Sequence, residues 1–321
     1  MAKFRKNHSN QEVNDSVNQR GSTPSKMNTF RLVIGLVFII IILYALSQVK
    51  IDSWETDQSQ PSTGQDITIS NEKIDDAKKS YYPESTTGEV VEHKYYTLSY
   101  SEEHEQAEWV AYKLTEDNLR KPRIKRAKKF TPDKSIKGSS AYHNDYTHSG
   151  YTRGHLAPAG DMAFSEDAMR ESFYMSNMSP QLKEFNGGIW RELEETVRDW
   201  AYDNDELYIV SGPILNDDHI IKQIGRNNKV SVPDLFYKIV LDIKGEDKKA
   251  IAFLLPNERS EKRLQEYIVS IDELEELLDI NFFADFLDPA LEEELERSRT
   301  VKGWRFDNKK YNTRINKWNN Y

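Results

Sequence analysis

The chain of 321 residues contains no cysteine. That absence excludes disulfides, thiolate metal sites, a cysteine nucleophile and acylation of a lipoprotein cysteine. It leaves the compartment open, because a cysteine-free chain suits an oxidising exterior as well as a reducing cytoplasm. Positive charge is also in short supply: 44 Lys and Arg stand against 53 Asp and Glu, a net charge of −9. A uniformly basic coat is thereby excluded, and any approach to a polyanion must rely on local fields. The chain has no internal repeat and no motif for reading base edges.

What is present divides the chain into segments. Residues 1–31 are polar and carry six basic and two acidic side chains. Residues 32–49 read LVIGLVFIIIILYALSQV, uncharged and apolar on every face. A helix of this length spans about 27 Å, enough for a bilayer's hydrocarbon core. Asp52, Glu55 and Asp57 follow. The positive side stays in the cytoplasm, so the pattern predicts a single-pass transmembrane anchor with the bulk of the chain exported, periplasmic or extracellular. Ala45-Leu46-Ser47 also matches a small-x-small cleavage site, which would give a secreted form.

Residues 50–88 are rich in Ser, Thr, Gln, Asp, Pro and Gly and read as a flexible linker. A globular domain is expected over 89–297, and a basic, aromatic tail over 298–321. That tail, with Trp304, Phe306, Tyr311 and Trp318 among its Lys and Arg, suits stacking on single strands, membrane contact or docking as a terminal extension. Within the domain, periodicity predicts strands at 95–100, 108–114, 151–156, 207–211, 235–242 and 250–255. Helices are expected at 166–173, 188–201 and 270–278, the last capped by Asp272. Strands come in neighbouring groups with helices between them, which points to an α+β fold.

The chemistry concentrates in Ser149–Met162 and Met175–Trp200. Arg153 and His155 flank Gly154, placing a guanidinium near an imidazole whose ordinary pKa suits proton abstraction at neutral pH. Amides follow at Asn177, Gln181 and Asn186, then a Gly-Gly step into an amphipathic helix. At about 100° per residue Asn186 and Glu194 lie about 80° apart around a helix axis, so an amide oxygen and a carboxylate can share one cavity. Few protein oxygens and many retained waters are how Mg²⁺ is commonly held. His143, His148 and His155 match no common zinc spacing. Asn177-Met178-Ser179 matches a glycosylation acceptor but reads better as a site amide. Between Leu119 and Gly138 stand nine basic residues and one acid, a phosphate track suited to sequence-independent contact.

These motifs resemble the DNA/RNA non-specific endonuclease family of the ββα-metal superfamily, which includes secreted bacterial nucleases and mitochondrial endonuclease G. The residues that carry the resemblance are Arg153-Gly154-His155-Leu156-Ala157-Pro158, Asn177 with Gln181, Asn186 with Trp190, and Leu193-Glu194. Flanking stretches around Arg126, Phe130 and Asp133, at Val232–Lys238 and at Phe253–Asn257 extend it over about residues 95–287.

The resemblance implies a ββα-metal core with a mixed or antiparallel sheet, and Mg²⁺-dependent hydrolysis of phosphodiester bonds in DNA and RNA. Mn²⁺ is the alternative ion. His155 would be the general base and Asn186 the direct metal ligand, with Glu194 and Thr152 acting on the metal's waters from behind it. Arg126 would stabilise charge on the phosphate, with Arg153 and Asn177 among the catalytic groups. Arg123, Lys125, Lys128, Lys129 and Gln181 would bind substrate. Family members often form homodimers; no interface signal or inhibitor site stands out here. One departure matters: Thr152 occupies a position where the family usually has Asp. It motivates an alternative reading, a tethered nucleic-acid-binding module with lost or weakened catalysis.

Overall fold

The computed structural model describes residues 80–83, 88–284 and 286–320. The predicted anchor at 32–49 and the two segments flanking it up to residue 79 lie outside these. Among the described residues no helix is long and apolar enough to cross a membrane.

A seven-stranded sheet organises the molecule. Its strands are β1 (Glu89–Glu92), β2 (Thr97–Ser101), β3 (Gln106–Thr115), β6 (Glu206–Pro213), β9 (Leu235–Asp242), β10 (Lys249–Pro256) and β11 (Ile268–Val269), in spatial order β1-β2-β3-β6-β9-β10-β11. Every pairing is antiparallel, as in the registers Tyr208↔Leu241 and Ala250↔Leu241. Two hairpin-like pairs stand apart: β4 (Thr152–His155) with β5 (Met178–Gln181), and β7 (Ile220–Ile224) with β8 (Val230–Pro233).

Both faces of the central strands are apolar, and successive side chains serve opposite cores. In β9, Phe236 and Val240 join the core that holds Trp190, Leu193, Val197 and Trp200. Tyr237, Ile239 and Leu241 join the other, with Leu274 and Leu295. Helices therefore cover the sheet on two sides. Each fully buried Leu or Phe contributes roughly 1.5–3 kcal/mol relative to exposure.

The helices are α1 (Glu116–Arg120), α2 (Glu166–Glu171), α3 (Lys183–Asn186), α4 (Ile189–Asn204), α5 (Ile271–Leu278), α6 (Pro289–Glu296) and α7 (Asn308–Asn316). Two expectations are corrected. Asp272 does not cap α5: Ser270 accepts from the Glu273 amide while Glu273 reaches back, a reciprocal capping box. Nor does one helix run through Asn186 to Glu194. Gly188 breaks it with φ −102° and ψ −110°, and a Cβ there would meet the Glu184 carbonyl oxygen at 2.1 Å.

The tail docks onto α4. Trp200 Nε1 donates to the Arg305 carbonyl at 2.6 Å, and its ring packs on Trp304 at 4.7 Å and Phe306 at 5.3 Å. Arg314, fully buried, pairs with Glu192 of α4 and donates to the carbonyls of Ser260 and Lys262. Of the three sequence-level options for this segment, docking is the one observed.

Candidate active site

The pair β4–β5 followed by α3 and α4 forms a ββα unit packed on the sheet. Gly154 is obligatory within it: a Cβ at that position would lie 2.0 Å from Gln181 Oε1. Because the two strands approach this closely, His155 at the end of β4 is held against the body of the domain. Trp190 Nε1 donates to the His155 carbonyl at 3.3 Å, tying that strand end to α4.

A cavity of about 340 Å³ opens beside it, lined by Arg126, His155, Asn186, Arg191, Glu194 and Arg198 among others. His155 is buried, with Phe173 edge-on at 4.9 Å and Phe130 at 5.9 Å. Its Nε2 has no hydrogen-bond partner. Burial, reinforced by the Arg126 charge, holds the imidazole pKa down at about 3, so the ring is neutral at physiological pH. Arg126 stacks its guanidinium over Phe173 at 5.1 Å, beside the imidazole.

Asn186 closes α3 at the mouth of the cavity. Its Nδ2 donates to Thr152 Oγ1 at 2.8 Å, and Thr152 Oγ1 donates in turn to the Gln181 carbonyl at 2.9 Å. The amide nitrogen is thereby committed, and Oδ1 is left as the free end of the side chain. Thr152 thus fixes the Asn186 amide by accepting from it, while its own proton, given to the Gln181 carbonyl, holds the hydroxyl in place. Glu194 is half-buried one helical turn into the cavity wall. Burial raises its carboxyl pKa, against the attraction of Arg198, Lys238 and Arg126. A free amide oxygen and a desolvated carboxylate in one polar cavity suit a hard divalent cation held by few protein oxygens.

Two buried groups beside the cavity, Asp161 and Lys238, were not singled out from the sequence. Asp161 accepts from Arg198 Nη1 at 2.6 Å and from the Tyr112 hydroxyl at 2.7 Å. Lys238 of β9 lies 4.8 Å over the Trp190 ring, fully buried, with an Nζ that has no hydrogen-bond partner. Burial lowers its pKa, opposed by the charges of Glu194 and Asp161. A signal existed for Lys238: it interrupts the apolar run Phe236–Leu241 at a position facing the α4 core.

Other expected residues lie elsewhere. Asn177 is fully buried and clamps the turn after His155, accepting from the Ala157 amide at 2.8 Å and donating to the carbonyls of Ala157 and Ser172 at 2.9 Å. Gln181 is fully buried behind Gly154. Arg153 turns away from the cavity, donating to the His143 carbonyl at 2.6 Å and packing on Phe130 and Tyr146. The basic stretch approaches the cavity rim instead. Ile124, Ala127 and Phe130 anchor it against Phe173 and Met169; Arg123, Lys125, Lys128 and Lys129 are exposed around them, and Arg126 reaches to the cavity. Arg123 donates to the carbonyl of Gly160, a lining residue, at 3.1 Å.

Residues 75–288 match the family model described as DNA/RNA non-specific endonuclease. The mitochondrial nuclease EXOG of Danio rerio is 36% identical over 219 residues, covering 63% of this chain and 62% of its own length. Nuclease C1 of Cunninghamella echinulata is 32% identical over 213 residues, covering 62% of this chain and 84% of its own. A crystal structure of an EndoG/EndoGI complex superposes with a TM-score of 0.58 at 28% identity, covering 63% of this chain and 88% of the matched one. The chain thus spans under two thirds of the EXOG length.

Proposed function

Since the chain belongs to the DNA/RNA non-specific endonuclease family, we propose that it hydrolyses phosphodiester bonds in both DNA and RNA, with His155 as general base. One observation carries this reading. A buried, neutral imidazole stands in the wall of the same cavity that gathers Arg126, Asn186 and Glu194.

Neutral His155 accepts the proton of the attacking water. The resulting imidazolium is unfavourable in the empty pocket but is stabilised by the phosphate's negative charge, so the site favours proton transfer once substrate is bound. Arg126 would stabilise negative charge developing on the phosphate. Asn186 would hold a divalent cation, Mg²⁺ by family resemblance, which would supply charge neutralisation at the phosphate and the leaving oxygen. Glu194, whose ionised form burial disfavours, would be kept ionised by such a cation and would act on its waters. Thr152 fixes the amide of Asn186, and Asn177 fixes the backbone after His155. The exposed basic run from Arg123 to Lys129 would track the phosphate backbone without reading bases. Family precedent gives 5′-phosphate and 3′-hydroxyl ends.

We also propose that residues 32–49 anchor the enzyme, with the domain exported; the support is the apolar run and the charge asymmetry around it. The test is nicking of supercoiled plasmid and single-stranded RNA by the full-length chain, with Mg²⁺ or EDTA, beside Asn186→Ala. Metal-dependent cutting of both substrates, lost in the variant, supports the reading. Binding without cutting across Mg²⁺, Mn²⁺ and Ca²⁺ would replace it with that of a tethered nucleic-acid-binding module.

A further inference from the structure

On the face of the sheet opposite α4, the helices α5 and α6 bring Asp272, Glu275 and Glu296 together. One carboxylate oxygen from each lies within 4.8 Å of the others. None of these residues lines the cavity described above. Glu296 is only 7% exposed, and its Oε1, shielded from solvent, has no hydrogen-bond partner. Glu275 uses one oxygen to accept from the Phe282 amide at 2.7 Å. Among the described residues, the charged groups that shift the Glu296 carboxyl are all acids. Burial first, then the charges of Glu275, Glu292 and Asp272, all raise the Glu296 carboxyl, to about 8. Glu275 and Glu296 are also within hydrogen-bonding reach of each other. Such an arrangement requires either a shared proton or a cation between them, because buried like charges cannot otherwise stay ionised together.

We propose that Asp272, Glu275 and Glu296 form a second divalent-cation site, fitted to Ca²⁺, that ties α5 to α6. The donors are all oxygens, as a hard cation requires. Three carboxylates suit Ca²⁺ better than Mg²⁺, which keeps several waters and is usually held by one or two carboxylates. Asp272 is exposed, so water completes the coordination on the open side. The fold brings the ligands from both ends of the Asp272–Glu296 stretch. Leu274 and Leu295 seat α5 and α6 on the same apolar sheet face, beside Ala250 and Ala252. The bound ion replaces mutual repulsion of the carboxylates with attraction, and the two helices are held by it.

The experiment is calorimetric titration of CaCl₂ into the full-length chain at alkaline pH, in an Asn186→Ala background so that the nuclease cavity does not contribute. The expected result is one Ca²⁺ per chain with a dissociation constant of about 10⁻⁴–10⁻³ M, the range of extracellular modules. Adding Glu296→Gln should weaken binding by at least ~10-fold, since loss of even an outer-shell partner costs about 10–100-fold in metal affinity. Asp272→Asn, an exposed change that leaves the core untouched, should weaken it in the same direction. Without Ca²⁺, Glu296→Gln should melt no lower than its parent, since it removes a repelling charge. Equal affinity in parent and variants, or no binding at millimolar Ca²⁺, would overturn the proposal and leave a proton shared between Glu275 and Glu296.

Discussion

Gly154→Ala tests how β4 holds His155. The new Cβ would lie 2.0, 2.1 and 2.5 Å from Oε1, Cδ and Cγ of Gln181. Gln181 is fully buried and its amide has no hydrogen-bond partner, so the side chain has no open space to retreat into. Relief requires separating β4 from β5. Overpacking of this kind costs about 1–3 kcal/mol. In a domain of this size each kcal/mol lowers Tm by about 2–4 °C, giving a fall of roughly 2–12 °C in a thermal melt. A shift of about 1 Å at His155 would lower the cleavage rate by on the order of 100-fold. Gln181→Ala removes all three clashing atoms, so the double variant should recover most of both losses, a coupling of about 1–3 kcal/mol. An unperturbed melt and rate for Gly154→Ala, or a double variant no better than the sum of the singles, would refute the reasoning.

Other expectations follow from the same geometry. His155 has a folded pKa of about 3 against an ordinary 6.5, so the unfolded chain binds the extra proton between those values and stability falls as pH drops through that window. His155→Leu should flatten the stability–pH curve by one proton, about 1.4 kcal/mol per pH unit and at most ~5 kcal/mol in all; an unchanged slope in denaturant melts would contradict the burial argument. Arg314→Met strands Glu192 without its buried partner and should cost about 3–5 kcal/mol, part of which Glu192→Leu restores; a loss below ~1 kcal/mol would mean that the tail is not held this way. Thr152→Val deprives the Asn186 amide of its acceptor and should raise the Mg²⁺ concentration needed for cleavage by about 10-fold. Thr152→Asp, by adding charge near the cation, should lower it. Unchanged metal titrations would dismiss both effects.

Much of the site was legible because short motifs carry it locally. His155, Asn186 and Glu194 do share a cavity, and Arg126 joins them from a segment whose apolar residues recur every third position. The roles of Asn177 and Gln181 were not legible. An amide that clamps a turn and one that faces a substrate are the same letter, and only burial separates them. Lys238 left a signal, a charge inside an apolar strand, but its meaning comes from the Trp190 ring it lies over and the charge of Glu194, which the sequence does not bring together. Five strands of the central sheet, β2, β3, β6, β9 and β10, lie where the sequence placed them, but β1 and β11 were missed and the strand order was not legible, since pairing is decided by which faces fit. Helix α4 begins at the Gly-Gly step where the sequence placed it, but the short helix α3 before it, which takes Asn186 off the α4 axis, was not legible. The tail could dock or remain free on composition alone; Arg314 decides it by finding Glu192, a contact across more than a hundred residues of chain.

The measurement nearest the central claim is single-turnover cleavage of plasmid DNA and single-stranded RNA by the full-length chain and by His155→Ala, with DNA affinity determined on the same preparations. A base acting only in the chemical step should, when removed, lower the cleavage rate on both substrates by about 10²–10⁴-fold while leaving DNA affinity within a few-fold. Cleavage that survives the substitution would contradict the assignment of His155. A parallel loss of affinity would show that the imidazole holds substrate rather than moving a proton.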